Sequence, residues 1–69
     1  MPLSMAHVGD VVTIIRIIGS ESVRRHLTDL GFTAGERVTV VNKVYGNLIV
    51  LIRDTRVALD EKMADRIIV

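Results

Sequence analysis

The hydrophobic pattern along this chain changes period several times, and each change marks a boundary between predicted elements. Met1–Asp10 begins irregularly, and His7-Val8-Gly9-Asp10 reads as a turn leading into a strand. Val11–Ile18 (VVTIIRII) is dense in β-branched residues, which favour a pleated, partly buried surface; Gly19 and Ser20 end it. Its two faces are both apolar, with Val11, Ile15 and Ile17 opposing Val12, Ile14 and Ile18. Glu21–Leu30 then takes helical spacing, placing Val23, His26, Leu27 and Leu30 at i, i+3, i+4 and i+7. Ser20 suits the N-cap, while Glu21 complements the helix dipole and pairs with Arg25 at i,i+4. Gly31 supplies the left-handed residue after the helix, and Phe32 can close a hydrophobic contact on Leu27.

Thr33–Glu36 is turn chemistry, followed by a strand over Arg37–Val44 in which Val38, Val40 and Val44 alternate against Thr39 and Lys43. Tyr45-Gly46-Asn47 reads as a hairpin loop and Leu48–Arg53 as the returning strand. Asp54 and Thr55 turn the chain into a short strand, Arg56–Leu59. Asp60 then caps a single helical turn through Ala64, and Arg66–Val69 closes as a last strand. The sum predicts a mainly β fold over residues 1–69 as one domain. It is a small SH3-like barrel of about five strands, with one short α-helix after the first strand and a helical turn before the last.

Composition narrows what can fill that barrel. Of 69 residues 49% are hydrophobic but only 3% are aromatic, so the core must be aliphatic. Without Cys there is no disulfide framework, zinc ribbon or thiol nucleophile. Nine Lys plus Arg oppose eight Asp plus Glu, and Arg24–Arg25 is the only adjacent basic pair, which argues against nucleic acid. The longest uncharged runs, Met1–Gly9 and Val44–Ile52, are too short for a spanning helix, so no membrane insertion is expected. No basic leader with a long apolar stretch opens the chain, and the expected location is the cytoplasm.

Candidate chemistry is sparse. His7 and His26 are the only histidines, and no nucleophile–base–orienter set or phosphate-cradling G-x-x-x-x-G-K-[ST] pattern occurs, so no enzyme is expected. His7 with Asp10 and His26 with Asp29 have i,i+3 spacing, yet neither pair supplies the three or four ligands of a tight metal site. No metal or cofactor is therefore expected, and the His26 ring is read as packing against the barrel. A proline-peptide groove needs aromatic walls that Phe32 and Tyr45 cannot build.

What remains is apolar surplus. In Leu48–Ile52, Leu48, Val50 and Ile52 point one way while Ile49 and Leu51 point the other. Either the helix covers that second face, or its exposed aliphatics are the isolated ones normal on any surface, or Ile49 and Leu51 belong to a patch that docks on a partner, or weakly on a second copy. Arg24 and Arg25 face away from the helix stripe; they read as solvated, or as contacts to an acidic or phosphate-bearing surface on a partner. Tyr45, at the hairpin, completes the candidate partner-binding residues.

Several stretches together carry a family resemblance. Following Arg25, His26-Leu27-Thr28-Asp29-Leu30-Gly31-Phe32-Thr33-Ala34-Gly35 fits R-x-L-x-x-L-G-hydrophobic-x-x-G. Gly46-Asn47-Leu48-Ile49-Val50, Arg56-Val57-Ala58-Leu59 and Ala64-Asp65-Arg66-Ile67-Ile68-Val69 follow in order. The set resembles the FeoA family, small cytosolic components of bacterial ferrous iron transport, in its short clostridial form. The chain departs from many relatives in its brief hairpin without proline and in Asp60, where a basic residue is common. The resemblance implies an SH3-like barrel without a catalytic centre. Its implied partner is FeoB, the membrane ferrous iron transporter with a cytosolic GTP-binding region. The barrel also resembles the C-terminal domain of iron-dependent repressors of the DtxR kind, which gives an alternative partner, a transcription regulator.

Overall fold

The structure, a computed structural model, describes residues 1–69. A 3-10 turn, Leu3–Met5, is followed by β1 (Val11–Thr13), β2 (Arg16–Ile17) and α1 (Glu21–Asp29). Then come β3 (Arg37–Val44), β4 (Asn47–Ile52), β5 (Thr55–Leu59), α2 (Glu61–Ala64) and β6 (Ile67–Ile68). One antiparallel sheet has the order β1-β3-β4-β5, and a second pairs β2 with β6. This is the mainly β, SH3-like arrangement that the pattern predicts.

The expected continuous strand Val11–Ile18 divides at Ile14–Ile15. The Ile14 amide donates to Glu36 O beside β3 at 2.9 Å, whereas the Ile15 amide donates to Ile68 O in β6 at 2.7 Å. The segment thus changes sheets and turns a barrel corner. Its facing shifts by one residue there: Val12, Ile14 and Ile17 pack inward, while Val11, Ile15 and Ile18 are exposed. Ile17 and Ile18 therefore exchange the faces that strict alternation assigns them.

Helix α1 forms as its capping residues dictate. Ser20 Oγ accepts the Val23 amide at 3.2 Å, and Arg25 pairs with Glu21 at 3.1 Å. At the other end Gly31 takes φ 105°. The Phe32 amide donates to Leu27 O at 3.0 Å and the Gly31 amide to Thr28 O at 2.9 Å, the paired bonds of a Schellman cap. Leu27 and Phe32 are fully buried together. His26 is exposed instead of packing on the barrel, because the helix meets the core through Leu27 and half-buried Val23 alone.

Two hairpins define the main sheet. Tyr45 and Gly46 alone form the first loop, with φ 49° and 81°, and Asn47 already pairs with Val44. Both central residues are left-handed, which matches the twist of adjoining strands. Arg53 and Asp54 repeat this geometry at φ 47° and 61°, so Arg53 leaves the returning strand and Thr55 enters β5. In β3, Val41 is an extra residue between the Val40↔Val50 and Asn42↔Ile49 pairs. That bulge reverses the alternation beyond it, so Val44 is exposed instead of joining Val38 and Val40 inside.

The core is aliphatic apart from Phe32, with thirteen buried residues and no buried polar one. Val38, Val40, Leu48, Val50 and Ile52 supply the sheet side, and Ile14, Leu27, Ala64 and Ile67 close it. The opening segment is more ordered than its sequence suggests: Leu3 and Ala6 are fully buried, and Pro2 bridges to Ile68. The Asp60 carboxylate caps α2 by accepting the Met63 amide at 2.8 Å.

Candidate interaction surface

Strand β4 has two apolar faces, and the barrel can enclose only one. Leu48, Val50 and Ile52 are buried inside, which leaves Ile49 and Leu51 half-buried on the outside. Pairing extends this outer face in two rows across the sheet. Val11 lies beside Thr39, Leu51 and Arg56; Val41 with Asn42 lies beside Ile49 and Ala58. Helix α1 does not cover it, and Val11 is 59% exposed. The strands of this sheet carry Arg37, Lys43 and Arg56 but no carboxylate. The arginine–carboxylate ion pairs of the molecule are Glu21–Arg25 and Glu36–Arg53, so none of these three strand cations is held in an ion pair.

The other candidate residues lie on different surfaces. Arg24 and Arg25 are exposed on α1; Arg25 is held by Glu21, whereas Arg24 has no ion pair. Tyr45 is fully exposed at the tip of the β3–β4 hairpin. It borders a shallow depression shared with Asp60, Glu61, Lys62 and Asp65 around α2. The five residues do not converge on one site: Ile49 and Leu51 share the sheet face, Arg24 and Arg25 the helix. Val11, Val41 and Arg56 join the sheet face although no local pattern singles them out. Only the strand register, with the bulge at Val41, brings them beside Ile49 and Leu51.

At the sheet's end, Arg53 in the β4–β5 turn reaches Glu36 with Nε at 3.0 Å and Nη2 at 2.5 Å. Hydrogen bonding to Arg53 is the main influence lowering the Glu36 pKa, and the same bond raises that of Arg53. His7 Nδ1 lies 3.8 Å from the Asp10 carboxylate, and both side chains are open to solvent. No three His, Asp or Glu side chains come together as a metal-binding group.

The FeoA domain family model matches residues 1–69. The chain belongs to the FeoA family. A crystal structure of an iron uptake regulatory FeoA protein matches this FeoA chain with TM-score 0.90 and 26% identity, covering 97% of this chain and 91% of its own. The zinc complex of Stenotrophomonas maltophilia FeoA, described as an SH3-domain protein, matches with TM-score 0.86 and 28% identity. That match covers 99% of this chain and 87% of the other. A manganese-dependent transcriptional repressor shares the fold, with TM-score 0.88 and 24% identity over 97% of this chain and 39% of its own. No curated protein matches by sequence.

Proposed function

We propose that this FeoA-family chain is a non-enzymatic regulatory or adaptor component of bacterial ferrous iron uptake. It acts in the cytoplasm as one domain and binds the cytosolic, GTP-binding part of a FeoB-type transporter. Family membership supports the iron-transport context. The observation that carries the binding role is the outer sheet face, where Ile49, Leu51, Val11 and Val41 leave aliphatic surface beside uncompensated Arg37 and Arg56. An exposed apolar patch rimmed by charge suits protein association. A partner bound more tightly in one nucleotide state than another would have its conformational equilibrium biased by that difference.

Chemical-shift perturbation with the purified cytosolic region of FeoB tests this reading, in the nucleotide-free, GDP and GTP-analogue states. The expected footprint covers Ile49, Leu51 and Val11. Leu51→Asp is expected to abolish binding while the amide spectrum stays folded, because the side chain is only half-buried. Absence of binding in every nucleotide state rejects the proposal. An unfolded variant would instead assign Leu51 to the core. The second reading is an interaction barrel contacting a transcription regulator, supported by the fold shared with the repressor. A gene for a large polytopic GTPase beside this one favours the first reading.

A further inference from the structure

Strand β5 is an edge of the main sheet, paired on one side only. The two-residue turn Arg53-Asp54 makes Ile52 and Thr55 the first hydrogen-bonded pair, so Val57 and Leu59 also direct their backbone groups at β4. Arg56 and Ala58 consequently present N–H and C=O outward. No backbone hydrogen bond outside the ladders reaches residues 55–59, and both side chains are exposed. The backbone stays extended through Asp60, at φ −72° and ψ 165°, which puts Asp60 on the same face as Arg56 and Ala58. Only Oδ1 of Asp60 is engaged, by the Met63 amide at 2.8 Å, leaving Oδ2 free.

We propose that a second copy of this chain adds antiparallel to β5 about a two-fold axis at Ala58. This register sets Arg56 opposite Asp60 of the partner subunit, and repeats that opposite-charge pair by symmetry. Centring on Val57 instead would place Arg56 opposite Ala58 and Asp54 near Asp60 of the partner subunit, with like charges facing. A lone charged residue on a short edge normally blocks pairing between copies. Here Asp60 supplies the counter-charge, and the Ala58 methyl group keeps the axis uncrowded. Pairing would join the two main sheets edge to edge and bring each Ile49 and Leu51 towards its counterpart, since they lie beside Ala58 and Arg56. The proposal stands independently of the transporter reading, because it needs no partner but the chain itself.

So short an edge belongs to the small-interface class, below about 1,200 Å² in total, and forms a weak, concentration-dependent dimer. Sedimentation velocity over a dilution series is expected to show mass rising towards the dimer. Mixed isotope labelling is expected to show an intermolecular Hα–Hα contact between Val57 and Leu59 of the partner subunit, which face each other as a non-hydrogen-bonded pair. Ala58→Pro removes the outward N–H, a change edge strands tolerate, and is expected to give monomer throughout. Arg56→Glu, on the exposed face, is expected to do the same with the fold unchanged, so the test survives if the proline variant unfolds. A wild-type chain that stays monomeric at every concentration overturns the proposal, as does a dimer that survives Arg56→Glu.

Discussion

Glu36 and Arg53 show what a single pair does at the surface. Glu36 opens the path into β3 and Arg53 occupies the β4–β5 turn, so their bond ties two loops across the end of the sheet. Glu36 has its pKa lowered below the ordinary 4.5, first through the hydrogen bond from Arg53. A depressed carboxylate contributes stability above its unfolded pKa and loses it as pH falls through the folded value. Acid denaturation followed by circular dichroism is therefore expected to show a shallower loss of stability below pH 4.5 in Glu36→Gln than in wild type. Equal slopes would mean that the pair is too well solvated to matter. Arg53 also sits at φ 47° and Asp54 at φ 61°, where L residues are strained. Asp54→Gly, which places glycine at the second position of this turn, is expected to raise stability by roughly 0.5 kcal/mol. The urea midpoint reads that change.

At the scale of elements, helix α1 is set by its ends more than by its length. Nine residues would not hold a helix in water, so the cap and two buried contacts must anchor it. Gly31 holds the left-handed position, and a Cβ added there meets nothing within 4 Å. Gly31→Ala therefore isolates backbone strain from crowding, and is expected to cost about 1 kcal/mol in urea unfolding. A neutral result would show that the end of the helix rearranges without loss. These signals are close in sequence: Ser20 with Val23, Leu27 with Phe32 and Asp60 with Met63 lie within one or two turns. That proximity is why the helices and their caps are legible from residue order alone. The same holds for Tyr45-Gly46 as a turn, although its length in the structure is one residue shorter than the pattern implies.

For the molecule as a whole, a chain of 69 residues buries thirteen, and none of these is polar. The aliphatic surplus exceeds what one small interior can take, because β4 is apolar on both faces and only one can point inward. No helix is long and apolar enough to cross a membrane. Part of the excess aliphatic surface lies on the outer sheet face, where the Leu51→Asp and β5-edge experiments address it, and part is exposed elsewhere, at Met5, Val8, Ile15, Ile18 and Leu30. Composition, caps, turn residues and the two faces of Leu48–Ile52 were determined by the sequence itself, since they depend on neighbours within a few positions. The split of Val11–Ile18, the reversal at Val41 and the exposure of His26 were decided only by tertiary structure. Each depends on a distant partner or on the packing of a whole element. Ile15 bonds to Ile68, Val41 is squeezed out by the register with β4, and α1 meets the core through Val23 and Leu27. Hydrophobic patterning states which side chains need burial, but hydrogen-bond partners far along the chain decide where each strand must turn to obtain it.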